Sequence, residues 1–240
     1  IQRARPMNGE RVLDLACGTG IVSRQVAPLV GPNGTMAGLD LSPDMLAVAR
    51  SRAPTDGPGV MWHEGSGTDM PFPEASFDLV LCQQGLQFFP DHQAGLNEMR
   101  RVLAPRGRAV VSVWRDLEGQ PLMKAIDTVL ATHLVPGALA LPFSLSDATL
   151  LGQLARTAGF QEVEVDEVQL SLRVREPNAF IPMMLQGAVA VLPEFAAIPV
   201  EERQAMIQGM KADLALAIRP FVQGQELVMD TAANVLVVQR

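Results

Sequence analysis

The 240-residue chain is long enough to bury a sizeable core, and its length favours one domain with room for an elaboration. A net charge of −7 provides no basic footprint for a nucleic-acid backbone, which argues against DNA or bulk RNA as a partner. The two cysteines, Cys17 and Cys82, form neither a disulfide framework nor a metal-ligand cluster, so we expect a reducing, cytoplasmic setting and no metal site. No apolar run reaches the length of a membrane span, and no signal peptide is visible.

The first 114 residues predict strands that alternate with helices. Short apolar runs typical of buried parallel strands cover 11–16, 35–41, 59–65, 77–82 and 108–114. Helices are expected between them over 21–30, 42–53 and 91–103, the second with Ser42 as its N-cap. Strands joined by helices this regularly indicate right-handed crossovers and a parallel sheet that is covered on both faces.

The second half of the chain is less regular. A helix is expected over 146–158, an exposed strand over 161–173 and a closing strand over 230–239. Two apolar, helix-prone segments, 117–143 and 177–222, are not needed by the sheet. Both are rich in Met and Pro, and Met-rich helices adapt to irregular apolar ligands.

A glycine-rich turn follows the first strand in the run Asp14-Leu15-Ala16-Cys17-Gly18-Thr19-Gly20. Glycines let the backbone turn tightly and let a ligand lie against the main chain, while the next helix presents unpaired N–H groups. A carboxylate such as Asp14 would repel a diphosphate in this position. It suits a ligand with a positive centre or an amine, and S-adenosylmethionine (SAM) carries both.

Two further signals follow at the ends of the second and third strands. Asp40 lies about twenty residues past the glycine turn, where an acid accepts hydrogen bonds from ribose hydroxyls. The run Gly65-Ser66-Gly67-Thr68 follows the third strand, where an adenine ring would sit beside the next loop. Open α/β sheets bind ligands at the carboxyl ends of their strands, so the three signals in this order point to one site.

These motifs resemble those of the class I SAM-dependent methyltransferases, in the branch that includes the ubiquinone/menaquinone-biosynthesis C-methyltransferases. The matching runs are 12–20, 38–42, 70–72, 76–78 and 98–103, and the resemblance covers about residues 10–115. It implies an α/β fold, a Rossmann-like three-layer sandwich with a seven-stranded, mostly parallel sheet. Its last strand, 230–239, would run antiparallel, and helical lid insertions over 117–143 and 177–222 would set acceptor choice within a single domain, 1–240.

The resemblance also implies which residues bind the SAM cofactor. Asp14 and the backbone of Ala16 and Gly18 would hold the methionine moiety, Asp40 the ribose, and Leu41 and Met45 the adenine. The full expected set is Asp14, Ala16, Gly18, Gly20, Asp40, Leu41, Met45, Ser66, Gly67, Thr68 and Gln83. The chain departs from the family in having Ser66 where an Asp usually accepts from the adenine amino group, so Ser66 or Asp69 would take that contact.

The acceptor is expected to be a small, apolar or aromatic molecule. The fourth strand ends in Cys82-Gln83-Gln84-Gly85, which lacks the Asn/Asp-Pro-Pro-Tyr signature of amino-group methylation on bases. Arsenic is disfavoured because only two cysteines are present and Cys17 belongs to the turn. In-line methyl transfer needs alignment and exclusion of water rather than an acid, so no catalytic residue is assigned. His133, within 117–143, is the one candidate for a general base.

Two other functions stay open from the sequence. A dinucleotide-dependent oxidoreductase would require a third glycine where this chain has Ser23, and it would not place Asp14 before the turn. A non-catalytic SAM-binding module would carry the same cofactor residues as the enzyme.

Overall fold

The computed structural model describes residues 1–52, 56–133, 136–137, 139–177, 180 and 198–240. The first five strands are β1 (Arg11–Leu15), β2 (Thr35–Asp40), β3 (Val60–Glu64), β4 (Phe77–Gln83) and β5 (Leu103–Trp114). The helices between them are α1 (Ile21–Val30), α2 (Pro43–Ser51) and α3 (His92–Val102). The later elements are α4 (Pro121–His133), α5 (Ala148–Thr157), β6 (Gln161–Val174), α6 (Val200–Ile218), β7 (Val222–Gln223) and β8 (Glu226–Gln239).

One sheet contains the eight strands that the described residues form. Seven follow the order β3-β2-β1-β4-β5-β8-β6, and the two-residue β7 pairs with β8. β1 to β5 pair in parallel, whereas β8 runs antiparallel to β5. This confirms the predicted Rossmann-like, mostly parallel sheet with an antiparallel last strand. Since β2 flanks β1 on one side and β4 on the other, the strand order switches at β1, which is where open α/β sheets bind ligands.

Two clusters of buried side chains lie on opposite faces of the sheet. Alternate residues of a strand point to opposite faces, and Leu13 belongs to one cluster while Val12 belongs to the other. The cluster of Leu13 includes Leu96 of α3 and Leu151 of α5, and the cluster of Val12 includes Val26 of α1. Helices thus cover both faces, which gives the expected three layers.

The predicted starts of two strands are wrong, each for a local reason. β5 begins at Leu103 rather than at residue 108, because Leu103 pairs with Phe77 before a register shift admits the extra residues. β8 begins at Glu226 rather than at residue 230, since it forms a hairpin with β7 around Gly224, whose φ is 63°. α2 ends at Ser51, and residue 53, its predicted end, lies outside the described residues.

The contacts divide the chain into two compact units. The first comprises residues 1–114, 145–168 and 233–240, and it contains the five parallel strand segments. The second comprises residues 115–144 and 169–232, in which α4 and α6 pack against each other. Both predicted insertions fall in the second unit, with residues 181–197 outside the described part, and their role as lids stays a prediction. None of the described helices has the length and apolar character that a membrane crossing requires.

Candidate functional site

The loop after β1 is a tight turn made of left-handed backbone. Ala16, Gly18 and Gly20 have φ angles of 53°, 54° and 75°, a region that glycine adopts readily and that strains Ala16. The Gly20 N–H donates to the Cys17 carbonyl at 2.9 Å, and α1 begins at the next residue. A Cβ added at Gly18 would meet no described atom within 4 Å, so the turn faces open space there.

Asp14 is buried at the base of this turn, with 1% of its surface exposed. Its Oδ2 accepts two hydrogen bonds from Ser23 of α1, one from the N–H at 2.9 Å and one from the hydroxyl at 2.6 Å. Burial raises the pKa of Asp14 to about 7, even though both bonds from Ser23 act to lower it. Ionisation of this carboxyl group therefore costs more free energy than ionisation of an exposed aspartate.

Asp40 joins the end of β2 to the glycine turn. Its Oδ2 accepts from the Gly18 N–H at 2.7 Å, and its Oδ1 accepts from the Ser42 N–H at 2.9 Å. The Ser42 hydroxyl accepts from the Met45 N–H at 3.3 Å, as expected for the N-cap of α2. Because each carboxylate oxygen has more than one lone pair, Asp40 holds the turn and can still accept from ligand hydroxyls.

Two apolar side chains next to Asp40 are exposed. Leu41 has 73% of its surface accessible and Met45 has 40%. Exposed large apolar residues gathered at a strand end are a feature of ligand sites, where a flat ring can cover them. The structure therefore places both expected adenine contacts beside the acid expected to bind the ribose.

The end of β3 completes the row of strand ends. The Gly65 N–H donates to the Asp40 carbonyl at 3.0 Å, which brings the 65–68 loop to the end of β2. The Ser66 hydroxyl lies 2.8 Å from the Thr68 hydroxyl and accepts from the Thr68 N–H at 3.2 Å. A Cβ added at Gly67 would lie 2.3 Å from the Phe89 ring, so any other residue there would require this ring to move. The Ser66 side chain is thus engaged within its own loop.

The loop after β4 approaches the glycine turn from the other side. Gln83 is exposed at the end of β4, and the neighbouring Gln84 donates its N–H to the Ser112 carbonyl at 2.8 Å. A Cβ added at Gly85 would lie 2.5 Å from the Cβ of Ala16. The end of β4, where Gln83 lies, is therefore next to the turn that carries Ala16 and Gly18.

Trp62 of β3 belongs to this region, although the sequence analysis did not single it out. Asp14, Gly38 and Trp62 occupy one register row across β1, β2 and β3. Gly38 has no side chain, and its missing Cβ would lie 2.5 Å from the indole of Trp62; a Cβ at Gly20 would lie 2.4 Å from the same ring. The indole thus packs against both glycines. A glycine in the middle of a strand is the sequence signal for such a close approach.

Neither cysteine is suited to nucleophilic chemistry. Cys17 and Cys82 are free and buried. Burial raises the pKa of the Cys17 thiol far above its usual value and that of the Cys82 thiol to about 12, and the charge of Asp14 contributes at both. Both side chains act as small apolar packing groups.

Two of the three histidines contact an identified side chain. The His63 ring makes an edge-on contact with Phe72, with 4.9 Å between the ring centroids. His133 Nε2 lies 2.8 Å from Asp213 Oδ2, which joins α4 to α6 within the second unit. This contact gives His133 a structural partner, and its role as a general base stays a prediction.

The second unit contains a cavity of about 370 Å³. Five of the eight lining residues carry polar side chains, and the lining as a whole is Glu118, Gly119, Pro121, Gln169, Leu170, Ser171, Asp230 and Thr231. This lining is polar and contains none of the residues expected to bind the cofactor. It does not match the apolar acceptor that the sequence predicts.

Comparison with known proteins places this arrangement in a family. A family described as a methyltransferase domain matches residues 12–107. The chain is 34% identical over 180 residues to a 2-phytyl-1,4-naphtoquinone methyltransferase of Synechococcus elongatus, covering 68% of this chain and 76% of the relative. The chain belongs to the class I SAM-dependent methyltransferases, in the ubiquinone/menaquinone-like branch.

A second curated relative and two solved structures are also similar to this methyltransferase. A demethylmenaquinone methyltransferase of Lactococcus lactis is 32% identical over 68% of this chain and 71% of its own length. Among solved structures, phosphoethanolamine N-methyltransferase 2 of Haemonchus contortus, in complex with SAM, has a TM-score of 0.57 at 19% identity and covers 100% of this chain and 50% of that one. A SAM-dependent methyltransferase of Aquifex aeolicus has a TM-score of 0.53 at 19% identity, and the match covers 68% of this chain and 78% of that one.

The methyltransferase uses SAM as its methyl donor and acts on a small molecule. Membership of this family favours the enzyme over the oxidoreductase and the non-catalytic module that the sequence left open. The structure brings the expected cofactor residues of β1, β2 and β3 to adjoining strand ends, joined by the bonds of Asp40 to Gly18 and to Gly65.

Proposed function

We propose that the ends of β1 and β2 hold the amino-acid and ribose parts of SAM. Asp14 accepts from the amino group, the backbone of Ala16, Gly18 and Gly20 lies along the methionine moiety, and Asp40 accepts from the ribose hydroxyls. The observation that carries this proposal is the second oxygen of Asp14. Oδ1 has no hydrogen-bond donor among the described residues, although the side chain is buried next to the open face of the turn.

The adenine would lie against Leu41 and Met45, with the loop of Ser66, Gly67 and Thr68 along its edge. Both apolar side chains are exposed next to Asp40, which supports this placement. Because the Ser66 hydroxyl is already bonded to Thr68, the proposal assigns the adenine amino group to Asp69 rather than to Ser66. Gln83 approaches the methionine end from β4.

The chemical step is an in-line displacement for which bound SAM supplies an electrophilic methyl group. The residues of the chain orient the donor and exclude water, since the leaving thioether needs no proton. Hydrogen bonds to the protein fix the positions of Asp14 and Asp40. These two acids would in turn hold the amino group and the ribose of the donor, which restricts the direction in which the methyl group points. No residue is assigned as a general base.

We propose a quinone-type acceptor with an apolar body. The support comes from the relatives, one named for 2-phytyl-1,4-naphtoquinone and another for demethylmenaquinone. The apolar segments 117–143 and 177–222, proposed as a lid, suit such a molecule. Both cysteines are buried thiols with raised pKa values, so neither is available to bind arsenic.

A methyl-transfer assay tests the acceptor class. The protein is incubated with radiolabelled SAM and a demethylated naphthoquinone with an isoprenoid chain, dispersed in detergent and chemically reduced. An electron-rich ring is needed because the methyl group is an electrophile, so we expect transfer to the reduced ring and not to its oxidised form. A phenol, a primary amine and arsenite serve as competing acceptors.

Asp14→Asn is the matched control for this assay, because it keeps the shape of the side chain at the cofactor site. It should lower transfer to every acceptor equally. Methylation of the amine or arsenite in preference to the quinone would contradict the proposed acceptor. Tight binding of NAD with no binding of SAM in a parallel calorimetric titration would contradict the proposed site.

A further inference from the structure

Ser23 occupies the first turn of α1 and is fully buried against the end of β1. It stands where a dinucleotide-binding turn would have its third glycine. Both of its donors, the N–H and the hydroxyl, reach the same oxygen of Asp14 at 2.9 Å and 2.6 Å. A hydroxyl bond of this length to a carboxylate is in the range of strong, charge-assisted hydrogen bonds.

Two donors on one oxygen fix the rotation of the Asp14 carboxyl group. Oδ2 is engaged by Ser23, and Oδ1 is left without a donor among the described residues. Because the residue as a whole is 1% exposed, this oxygen has little contact with solvent and gains from a ligand that supplies a donor. The geometry thus presents a single, oriented acceptor at the base of the glycine turn.

The surroundings of Asp14 are otherwise poor in compensating charge. Burial and the charge of Asp40 raise the pKa of Asp14, and among nearby charges only Arg24 of α1 lowers it. Arg24 donates to the Thr19 carbonyl at 2.6 Å, and the neighbouring thiols of Cys17 and Cys82 are uncharged because their pKa values are raised. The hydrogen bonds from Ser23 are therefore the main protein contribution that favours the ionised carboxylate.

We propose that Ser23 is a positioning residue for the amino-acid end of SAM, which orients Asp14 and keeps it ready to accept from the cofactor's amino group. This inference rests on the proposed function of Asp14 and extends it to a residue that does not touch the cofactor. It also gives a role to the serine at this position, since a glycine in its place would offer an N–H but no hydroxyl.

Ligand affinities measured by calorimetry test this role. S-adenosylhomocysteine contains the amino group, whereas 5′-methylthioadenosine keeps the adenosine and the thioether but has no amino-acid group. We expect Ser23→Ala to weaken S-adenosylhomocysteine about tenfold and to leave 5′-methylthioadenosine within about twofold of wild type. Ser23→Thr keeps the hydroxyl and should retain most of the affinity. Ser51→Ala, an exposed serine at the end of α2, is the matched control and should change neither ligand.

The pH profile supplies a readout that a packing role would not move. Removing the hydroxyl raises the pKa of Asp14 further, so a higher pH is needed to ionise it. We expect the pH at which S-adenosylhomocysteine binding is half-lost to move upward in Ser23→Ala by about one pH unit. Ser23→Thr should keep the wild-type profile.

The result that overturns the inference is an equal loss of affinity for both ligands, or an unchanged affinity for both, in a folded Ser23→Ala protein. Ser23→Cys, whose thiol is a weak donor of similar shape, replaces that variant in the same comparison if Ser23→Ala does not fold. A wild-type protein that binds neither ligand would contradict the proposed function itself, which is a different outcome.

Discussion

Asp14 and Asp40 are strand-end acids that both lie next to the glycine turn, yet their surroundings differ. Asp40 is half-buried and accepts one backbone N–H on each oxygen. Asp14 is buried, takes both of its bonds on one oxygen and has a pKa of about 7. The first acid stabilises the turn in the absence of ligand, whereas the second carries an electrostatic cost that ligand binding can offset.

Asp14→Asn should make the ligand-free protein more stable at alkaline pH. The pKa of Asp14 in the folded protein, about 7, lies above the ordinary 3.8. Its contribution to stability is therefore fully present below pH 4 and is lost as the pH rises through 7. We expect the stability of the variant relative to wild type in urea unfolding to increase between pH 5 and pH 8 by on the order of 2 kcal/mol. A difference that does not vary with pH would contradict this assignment.

Asp40→Asn should weaken SAM by about 1–3 kcal/mol, because the amide nitrogen that replaces one oxygen cannot accept from a ribose hydroxyl at the proposed site. Calorimetric titration measures the affinity, and thermal unfolding checks that the turn still forms. Asp44→Asn, an exposed acid in the first turn of α2, makes the same charge change away from the site. An Asp40→Asn affinity equal to that of Asp44→Asn would rule out the ribose contact.

Sequence reasoning reached the residues of the turn but not the contacts between elements. Asp14 and Asp40 were predicted because strand ends and glycine spacing are local patterns. Ser23 was noticed only as a missing glycine, since its bond to Asp14 depends on how α1 packs on β1. Trp62 was not predicted because its contact with Gly20 requires three strands in register.

At the scale of elements, β2 and β3 are fitted to each other by a glycine and an indole. Gly38 is opposite Trp62 in the parallel register, and the ring covers the position where a side chain would project. A glycine in a strand interior costs backbone entropy, and the packed indole offsets that cost with buried apolar surface. The same ring contacts Gly20 at the start of α1.

Gly38→Ala should therefore destabilise the fold by about 1–3 kcal/mol, since its Cβ would lie 2.5 Å from the indole. Denaturant unfolding measures the loss of stability. The double variant Gly38→Ala/Trp62→Leu should recover part of the stability that Gly38→Ala loses. Gly209→Ala is the matched control. A Cβ there meets no described atom within 4 Å, and replacing a glycine inside α6 should stabilise by about 0.5–1 kcal/mol. Equal effects of the two alanines would contradict the proposed packing.

The elements that sequence reasoning placed well are the ones with strong periodicity. The five parallel strands, α1 and α3 were predicted within a few residues because buried strands and capped helices have local signals. The start of β5 was missed, since Pro105 and Gly107 predict a turn while the strand continues through a register shift. β7 was missed because two residues carry no periodic pattern.

At the scale of the whole molecule, the negative net charge bears on which partners the protein can bind. A net charge of −7 disfavours the counterion release that supports binding to a nucleic-acid backbone. The two compact units differ in how much of their structure could be predicted from the sequence. The first carries the family's motifs, whereas the second consists of segments whose amphipathic helices find partners only in three dimensions, such as α4 with α6.

We expect no saturable binding of a 20-base-pair DNA duplex or of transfer RNA at 50 mM salt, because steering by the molecular field would be repulsive. Fluorescence anisotropy at protein concentrations up to about 10 μM checks this, since that concentration lies within the range of nonspecific dissociation constants at physiological salt, about 1–100 μM, and low salt tightens such binding. Addition of S-adenosylhomocysteine should not change the result. Saturable binding that weakens steeply with salt would point to a basic patch that the net charge conceals.

The pairing of Gly38 with Trp62 also restricts how such a sequence can change over generations. While the indole is present, almost any side chain at position 38 meets a steric conflict. Once the indole is replaced by a smaller group, the main conflict is removed, and only the Cys17 Sγ atom at 3.1 Å has to shift slightly. The two positions are therefore epistatic, and the order of the replacements matters. Loss of Trp62 first opens a route, whereas change at Gly38 first has to pass through a less stable intermediate.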